Sequence, residues 1–396
     1  MNKVLIASFD MEVGGVERSL ISMLENFDYD NNNIDLMLYM HQGDFMKLLP
    51  KKQNLLPEVD EYTSFRKSIL QLVKEGKIKL AITRVKAKFK ANKIAAISNI
   101  LDSGYIQMQL MWKYSINHLP SLDNEYDVAI SYLWPHYFIA EKVKAKKKIA
   151  WIHTDYSTID TDIEEDLRIW NKFDYIIAVS SQCKNSFLKK YPTLSKKTKV
   201  IENITAVDFV RNMADEEINE RYDSNYLNIL SVARLSHAKG IDNAVRSLKI
   251  LHDKGLTNIK WYVVGYGGDE EVIRELIKEN NLEDSFILLG KKINPYPYIK
   301  SCDLYVQPSR YEGKAVTVTE AQILGKPVMI TNYPTAKSQV RDNRDGYICE
   351  LSVEGIAKGI EKIYSDKELR EKLSQNCKNT DYSNSYELEK LYELIR

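Results

Sequence analysis

The sequence predicts an α/β protein with two Rossmann-like, doubly wound domains, each built on a parallel sheet. Short apolar runs rich in β-branched residues alternate with longer segments of helical period, which is the pattern of parallel strands covered by helices. The pattern occurs twice, on either side of a polar, acidic segment at 204–226. The chain has 396 residues, which is more than one hydrophobic core usually supports. We therefore expect two domains.

Eleven candidate strands fit this fold, six before the acidic segment and five after it. The first set is KVLIASF, IDLMLYM, YDVAISY, KKIAWIH, YIIAVS and KVIEN. The second set is LNILSVARL, IKWYVVG, FILLG, LYVQPS and PVMIT. We place the domain boundary near residue 205, which gives domains 1–205 and 206–380. We predict a last helix in residues 381–396, which could cross back to the first domain. Asn384 or Ser385 would be its N-cap.

Composition excludes several classes of protein. With 44% apolar and 28% charged residues, the chain is neither disordered nor fibrous. A net charge of +1 argues against a nucleic-acid partner held by bulk positive charge. The longest weakly charged run, 128–140, is shorter than the ~18 residues of a spanning helix, and the N-terminal run is too brief for a signal peptide. The four cysteines form no CxxC pair, which favours a reducing cytosol and no structural metal.

Two glutamates flank the run EGKAVTVTE at positions 312 and 320. The paired carboxylates of a glycoside hydrolase lie roughly 5 to 9.5 Å apart. Eight residues span about 12 Å along a helix and about 26 Å along a strand, so Glu312 and Glu320 do not form a hydrolase pair. Residue propensity favours a strand at AVTVTEAQIL, but the strand PVMIT follows with no crossover. We therefore predict a helix that ends at Gly325.

Such a helix would begin beside Glu312, and its free N-terminal amides would attract an anion. Glu320 would lie about two turns further on. A ligand with a sugar ring, a diphosphate and a ribose in sequence matches two carboxylates on either side of a phosphate site. The predicted donor-binding residues at this helix are Glu312, Gly313, Lys314, Ala315, Val316 and Glu320.

Other predicted strand ends carry glycine or cationic residues, and ligands of open α/β sheets bind beyond the carboxyl ends of strands. Gly14 and Gly15 precede a helix near the N-terminus, which suits either a phosphate or a simple tight turn. Arg234 and Lys239 lie on one short loop and indicate a polyanion site. The alternative for these two cations is a solvated surface.

Two further strand ends are less specific. Gly265 begins a glycine-rich turn, but a GxGxxG dinucleotide fingerprint would need glycine where Glu270 stands. An NAD site is therefore disfavoured, and we expect a turn that passes close to a nucleotide. His153 ends another predicted strand, where a lone histidine can be either structural or catalytic. The DTD at 160–162 has the form of a metal motif, but it lies in an acidic run and is better explained as a helix start.

The motifs together resemble retaining glycosyltransferase family 4, whose members have the GT-B fold. The resemblance implies that the two Rossmann-like domains face each other across a cleft. The resemblance covers nearly the whole chain and is most specific in EGKAVTVTEAQILGKPVMIT, with its Glu, seven residues, Glu pattern. Five further motifs support the resemblance: GGVERS, IHTD, KVIEN, SVARLSHAKG and VVGYGGDEE. The family's usual EGFG is EGKA here. The variant around EGK and TNYPTA looks similar to enzymes that build capsular, exopolysaccharide or lipopolysaccharide chains.

The resemblance implies a role for each motif. The first domain would bind the acceptor, and the second domain would bind the nucleotide sugar. UDP is the nucleotide that is commonest among the donors of the family. Glu312 would hold donor-sugar hydroxyls and Glu320 the ribose diol, while Arg234 and Lys239 would neutralise the diphosphate. Gly15 would approach the diphosphate, and His153 would lie near the reacting carbon. The two cations would replace a metal, so no cofactor is expected.

A basic, amphipathic stretch runs from Arg66 to Lys93, with ten Lys or Arg and the single acid Glu75. Such a segment can lie on an anionic membrane leaflet, although a solvated helix face has the same composition. We expect a cytoplasmic enzyme that binds peripherally to the inner face of the membrane and acts on a lipid-linked saccharide. The predicted membrane contacts are Arg66, Lys67, Lys77, Lys79, Arg84, Lys86, Lys88 and Lys90.

Three other functions fit parts of this pattern. A nucleotide-sugar epimerase would share the architecture and the diphosphate site, but would interconvert free nucleotide sugars. A non-catalytic saccharide-binding protein would keep the fold without turnover. An NAD oxidoreductase is weakened by the incomplete glycine fingerprint.

Overall fold

The chain folds into two compact α/β units. The computed structural model describes residues 1–98, 100, 103–218, 222–312 and 314–396. Unit 1 comprises Met1–Thr205 and Asn384–Arg396, and unit 2 comprises Ala206–Ser383. Each unit contains a parallel sheet with helices, which confirms the predicted fold class.

Unit 1 is built on a parallel sheet of seven strands among its described residues. They are β1 (Asn2–Ser8), β2 (Asn32–Leu38), β3 (Asn54–Leu55), β4 (Glu125–Ser131), β5 (Lys144–Ile152), β6 (Tyr175–Ala178) and β7 (Thr198–Val200). The order across the sheet is β3-β2-β1-β4-β5-β6-β7. Val4, Leu5 and Ile6 in β1 are all fully buried, because helices cover both faces of a parallel sheet.

The helices of unit 1 fill the crossovers between these strands. They are α1 (Gly15–Glu25), α2 (Asp60–Thr63), α3 (Ile69–Lys74), α4 (Ile78–Ser98), α5 (Gly104–Ser115), α6 (Tyr137–Lys142), α7 (Ile163–Trp170) and α8 (Ser181–Lys190). Short 3-10 helices span Asp44–Leu48, Ile116–His118 and Pro192–Lys197. Asp162, the last residue of the DTD run, accepts the Glu165 amide at 3.2 Å and caps α7, so the run is a helix start as predicted.

Unit 2 repeats the plan with six strands in its described part. They are β8 (Leu227–Val232), β9 (Ile259–Val264), β10 (Phe286–Gly290), β11 (Leu304–Gln307), β12 (Val328–Thr331) and β13 (Tyr347–Cys349), in the order β10-β9-β8-β11-β12-β13. Its helices are α9 (Val207–Met213), α10 (Ile241–Asp253), α11 (Glu270–Glu279), α12 (Tyr296–Ser301), α13 (Val316–Ile323), α14 (Ala336–Gln339), α15 (Val353–Ser365) and α16 (Lys367–Lys378). A 3-10 turn spans His237–Lys239.

Both sheets have the strand order of a Rossmann domain, which fixes where ligands can bind. The chain direction across the sheet reverses between β1 and β4 in unit 1 and between β8 and β11 in unit 2. Ligands of open α/β sheets bind at such a switch point, beyond the carboxyl ends of the strands. All eleven predicted strands form. The sequence pattern missed β3 and β13, which have only two and three residues.

Two predictions about segment ends need correction. The acidic segment at 204–226 is not simply a connector, because α9 lies within it and Val210 is buried in the unit 2 core. The last helix, α17 (Glu387–Ile395), has no side-chain cap. Asn384 instead accepts the Thr205 amide at 2.7 Å. The helix packs within unit 1, where the Tyr392 hydroxyl accepts the Asp28 amide at 2.8 Å.

Candidate functional site

The loops that follow β8 and β11 meet at the switch point of the unit 2 sheet. Gly240 has a left-handed conformation, with φ of +65°, and a Cβ there would lie 2.1 Å from the Pro308 carbonyl oxygen. Only glycine allows this approach without displacing the backbone. The first loop brings Lys239 to the second loop, which carries Glu312.

Glu312 lies at the centre of a polar cluster and is 5% exposed. Its Oε2 accepts Lys239 Nζ at 2.6 Å. Its Oε1 accepts the Ser309 hydroxyl at 2.7 Å and Gln307 Nε2 at 3.1 Å. Its backbone carbonyl accepts the Thr335 hydroxyl at 2.9 Å. These contacts fix a carboxylate and an ammonium side by side.

Gln307 and Ser309 are buried members of this cluster that the sequence reasoning did not single out. A signal was present, because LYVQPS was interpreted as a buried strand and yet ends in two polar residues on the same side of the chain. Polar side chains at the carboxyl end of an apolar strand are typical of ligand sites in α/β proteins. Tyr305 orients Gln307, because its hydroxyl donates to Gln307 Oε1 at 2.8 Å.

Arg310 joins the two loops by hydrogen bonds. The sequence reasoning did not identify this residue. Its Nη1 and Nη2 donate to the two carboxylate oxygens of Asp242, each at 2.7 Å. Burial acts to raise the pKa of Asp242, but the hydrogen bonds and positive charges of Arg310 and Arg246 together outweigh burial and lower it. The bidentate pair fixes the start of α10 against the β11 loop.

Arg234 is exposed on the loop after β8, and no hydrogen bond or ion pair joins it to another described residue. The glycine turn after β9 supports this loop. A Cβ on Gly265 would lie 1.8 Å from the Ala233 carbonyl oxygen, and one on Gly267 would lie 2.1 Å from that of Leu235. In this structure the turn therefore packs against the loop that carries Arg234. The predicted contact of Gly265 with a nucleotide stays a prediction.

The helix prediction for AVTVTEAQIL is confirmed, because α13 covers Val316–Ile323. The prediction that the Ala315 amide is free to bind an anion needs correction. The Ala315 amide donates to Gln339 Oε1 at 3.2 Å, and Gln339 Nε2 donates back to the Ala315 carbonyl. That amide is therefore not free. Lys314 is exposed and Val316 begins the helix, while Gly313 lies outside the described residues.

Glu320 lies one turn into α13 and is 2% exposed. Its Oε1 accepts the Tyr296 hydroxyl at 2.9 Å. The sequence reasoning did not find Tyr296, because it lies in a different segment, on α12. The assignment of Glu320 to a ribose stays a prediction.

The glycine pair of unit 1 lies at the start of α1. Gly14 is the N-cap and has an extended conformation, and a Cβ there would lie 2.3 Å from Glu17 Oε2. A Cβ on Gly15 would meet nothing within 4 Å, so the backbone of Gly15 faces open space. Burial raises the pKa of Glu17 to about 7. The predicted approach of Gly15 to a diphosphate stays a prediction.

His153 directly follows β5, as predicted. Its Nε2 is buried and has no hydrogen-bond partner among the described residues. Burial lowers the pKa of His153 to about 3, against a smaller raising effect from a hydrogen bond with the Tyr132 backbone. The imidazole is therefore neutral at physiological pH. A neutral ring can exchange hydrogen bonds with a ligand but cannot supply positive charge.

Half of the residues predicted to contact a membrane have polar contacts within unit 1. Arg66 Nε donates to Asp10 Oδ2 at 2.6 Å, and Arg84 Nη1 donates to the Ser64 carbonyl at 2.9 Å. Lys67 and Lys77 each form ion pairs with Asp60 and Glu75. These four residues therefore pair with nearby acceptors, and their contact with a membrane stays a prediction. Lys79, Lys86, Lys88 and Lys90 are exposed, and Lys86 Nζ lies 4.5 Å from the Tyr114 ring centroid.

No cluster of three or more His, Cys, Asp or Glu side chains among the described residues could hold a metal ion. No helix in the described part of the chain is both long and apolar enough to cross a membrane.

The fold is that of the two-domain glycosyltransferases. Anabaena HepE, crystallised with UDP and glucose, superposes with a TM-score of 0.68 at 16% identity, covering 100% of this chain and 99% of HepE. This likeness shows the fold. Residues 213–380 match the family model described as glycosyl transferases group 1. This part of the chain, most of unit 2, is similar to that family, which confirms the predicted resemblance.

Curated relatives are similar over part of the chain. A glycosyltransferase of Methanocaldococcus jannaschii without assigned function is 28% identical over 42% of this chain and 42% of its own. The Staphylococcus aureus capsular polysaccharide biosynthesis glycosyltransferase CapM is 28% identical over 51% of this chain and 55% of its own. The Campylobacter jejuni N-acetylgalactosamine-N,N'-diacetylbacillosaminyl-diphospho-undecaprenol 4-alpha-N-acetylgalactosaminyltransferase is 25% identical over 53% and 56%. The chain spans 42% to 66% of the length of three curated relatives that it matches.

Proposed function

We propose that this chain is a retaining glycosyltransferase that moves a hexose or N-acetylhexosamine from a UDP-sugar to a lipid-linked saccharide. Capsule, exopolysaccharide or lipopolysaccharide synthesis would be its setting. The observation that carries the proposal is the contact of Lys239 with Glu312 at the switch point of the unit 2 sheet. This contact lies inside the region that matches the glycosyl transferase family model.

The pair suits a nucleotide sugar because of the way that ligand is built. In a glycosyl diphosphate, sugar hydroxyls and phosphate oxygens lie within a few bonds of each other. The Glu312 carboxylate would accept hydrogen bonds from the hydroxyls, and the Lys239 ammonium would donate to the phosphate. Arg234, exposed on the same loop as Lys239, would supply a second cation. Glu320 would hold the ribose.

The chemistry follows from the leaving group. A nucleoside diphosphate departs with its negative charge, so it needs electrostatic stabilisation more than a proton. We propose that Arg234 and Lys239 provide this stabilisation without a metal ion. The acceptor hydroxyl would attack from the face that the nucleotide leaves, through an oxocarbenium-like transition state, with retention of configuration. His153 would contribute hydrogen bonds as a neutral imidazole.

Several comparisons support the substrate classes. HepE was crystallised with UDP and glucose, which favours UDP as the nucleotide of the donor. The name of the Campylobacter relative specifies a diphospho-undecaprenol acceptor, which favours a lipid-linked saccharide. The name of CapM specifies capsular polysaccharide, which favours envelope polysaccharide synthesis.

The test is donor turnover by the purified chain. We expect UDP-hexoses or UDP-N-acetylhexosamines to be hydrolysed slowly without an acceptor and consumed faster with a lipid-linked saccharide, with the anomeric configuration retained in the product by NMR. Interconversion of the free nucleotide sugar without transfer would contradict the proposal and indicate an epimerase. Absence of turnover with UDP-, GDP-, ADP- and dTDP-sugars alike would also contradict it.

We also propose that unit 1 binds peripherally to the cytoplasmic face of an anionic membrane through helices α3 and α4. Among the described residues, fifteen large apolar side chains are exposed, and seven of them lie between Leu70 and Ile97. Ile82 is 62% exposed and Phe89 is 74% exposed. The seven are Leu70, Val73, Ile78, Ile82, Val85, Phe89 and Ile97.

The arrangement of α4 is what favours a membrane over a solvated face. Residues recur on one side of a helix every 3.6 positions, so Ile78, Ile82, Val85 and Phe89 form one stripe. Leu80, Ala87 and Ala91, which are buried, lie on the opposite side. The stripe is therefore not the face that packs on the core. Exposed lysines flank it at positions 79, 86, 88, 90 and 93, which suits anionic headgroups.

Charge reversal tests this surface. We expect the wild-type chain to float with liposomes that contain phosphatidylglycerol. Each near-surface charge contributes about 1 kcal/mol, so the quadruple variant K79E/K88E/K90E/K93E should lose at least about 100-fold in membrane partition. The control reverses four exposed lysines of unit 2, as K278E/K358E/K367E/K372E, and should float like the wild type. Equal flotation of the α4 variant and the wild type would exclude this surface.

A further inference from the structure

A cavity of about 300 Å³ lies in unit 1 at the carboxyl ends of three neighbouring strands. Phe9 follows β1, Trp134 follows β4 and Thr154 follows β5, and Arg66 and Tyr105 complete the lining. The cavity therefore lies at the topological switch point of the unit 1 sheet, where a ligand is expected. None of the residues assigned above to donor binding lines it.

Aromatic rings form one side of the cavity. The ring centroids of Tyr105 and Trp134 lie 5.5 Å apart. The Trp134 indole nitrogen donates to Asp166 Oδ1 at 3.3 Å, and Asp166 is itself fixed by Gln109 Nε2 at 2.8 Å. Asp166 is 2% exposed. The indole that lines the cavity is thus anchored from the protein interior.

A fixed cation also lines the cavity. Arg66 Nε donates to Asp10 Oδ2 at 2.6 Å, and the guanidinium carbon lies 5.3 Å from the Phe9 ring centroid. Asp10 is 3% exposed, so the guanidinium is oriented by a buried carboxylate. The Arg66 side chain is 46% exposed, and its two η nitrogens donate to no described residue. They remain available to a ligand.

The aromatic residues and the arginine that line the cavity indicate the class of ligand that it binds. The C–H face of a pyranose ring is apolar and packs on the negative face of an aromatic ring. The paired η nitrogens of arginine match two oxygens of a phosphate. A volume of about 300 Å³ is at the lower end for ligand pockets and suits one sugar ring. We propose that the cavity binds a glycosyl phosphate, with the sugar on Trp134 and Tyr105 and the phosphate on Arg66.

The inference rests on the proposed function, in which the acceptor is a lipid-linked saccharide, and it names the part of that acceptor which unit 1 recognises. Arg66 precedes helix α3 by three residues, which span at most about 11 Å of chain. Leu70 in α3 is 65% exposed and belongs to the proposed membrane surface. The phosphate of a membrane-anchored carrier would therefore reach Arg66 from that surface.

Direct binding of small probes tests the cavity. The probes are the 1-phosphates of glucose, galactose and N-acetylglucosamine and the corresponding methyl glycosides, measured by saturation-transfer NMR with excess UDP present to occupy a donor site. We expect at least one 1-phosphate to bind about tenfold or more tightly than its methyl glycoside, as one charge-assisted contact allows. Trp134→Ala should weaken both, and Arg66→Gln should abolish only the preference for phosphate. Val272→Ser, at an exposed apolar residue of unit 2 outside the cavity, should bind like the wild type.

The outcomes separate this inference from the proposed function. If no probe binds, or if Trp134→Ala binds as the wild type does, the cavity is not the site. UDP-sugar turnover by the wild type would then still support a glycosyltransferase. If the 1-phosphates compete with UDP in the wild type, they occupy the donor site and the inference is wrong. Thermal unfolding of each variant shows whether the fold is intact, and Arg66→Lys, which keeps the charge, should retain part of the preference if Arg66→Gln is unstable.

Discussion

Glu312→Gln is expected to lower the rate of transfer roughly 10²- to 10⁴-fold. The substitution keeps the shape of the side chain but removes its charge, so the contacts to Lys239 and to the donor hydroxyls both weaken. A hydrogen bond to a charged group contributes about 1.5 to 3 kcal/mol, and the loss of two such contacts gives this range of rates. Steady-state kcat/KM with a UDP-sugar and acceptor is the measurement.

The control for Glu312→Gln is Glu275→Gln, which changes an exposed glutamate on α11 in the same unit. It should leave both the rate and the melting temperature unchanged. Because Glu312 is buried and paired with Lys239, its own substitution should also lower the free energy of unfolding. A Glu312→Gln variant that folds and turns over at the wild-type rate would remove Glu312 from the donor site.

Removal of both proposed phosphate-binding cations, in the double variant R234A/K239A, is expected to lower kcat roughly 10²- to 10⁴-fold. Two cations at about 1.5 to 3 kcal/mol each account for this range if their contacts strengthen as the diphosphate leaves. Arg234→Ala alone separates catalysis from stability. Arg234 is exposed and has no partner among the described residues, so its loss should slow transfer about 10- to 100-fold without changing the melting temperature.

Arg344→Ala is the matched control for Arg234→Ala, because Arg344 is also an exposed arginine of unit 2. It should leave UDP affinity and transfer unchanged. Lys239→Ala differs from both, since it leaves the buried Glu312 carboxylate without its ammonium partner, and it should lower stability as well as rate. An Arg234→Ala variant with wild-type kcat and UDP affinity would show that the exposed cation is only a surface charge.

The fold was largely predictable because its signal is carried by runs of residues. Strands buried on both faces read as continuous apolar segments, and all of the predicted strands form. The helix at Val316–Ile323 was predicted against residue propensity, from the topological argument that two adjacent parallel strands need a crossover. The edge strands at Asn54–Leu55 and Tyr347–Cys349 were missed because two or three residues carry no periodic signal.

The candidate site was predictable at the level of segments but not of contacts. The strand ends named from the sequence bring Lys239 and Glu312 together, as the diphosphate hypothesis requires. The sequence did not predict that they pair directly, nor that Gln307 and Ser309 orient the carboxylate. Hydrogen-bond partners from distant segments, such as Tyr296 for Glu320, are fixed only when the chain is folded.

The basic segment shows why charge counts alone mislead. Ten Lys or Arg between Arg66 and Lys93 suggested one uniform surface, but partners outside or at the edge of the run, such as Asp10 and Asp60, neutralise several of them. Long basic side chains reach such acceptors from positions that look exposed in a helical projection. The exposed apolar stripe of α4 became apparent only when its buried face was known.

Isothermal titration of UDP into the wild type, Arg234→Ala and Glu275→Gln tests most directly whether the switch point of the unit 2 sheet holds a nucleotide diphosphate. We predict that the wild type and Glu275→Gln bind UDP equally, and that Arg234→Ala binds it about tenfold or more weakly. Equal UDP affinity in all three proteins, or no UDP binding by the wild type, would contradict the proposed donor site.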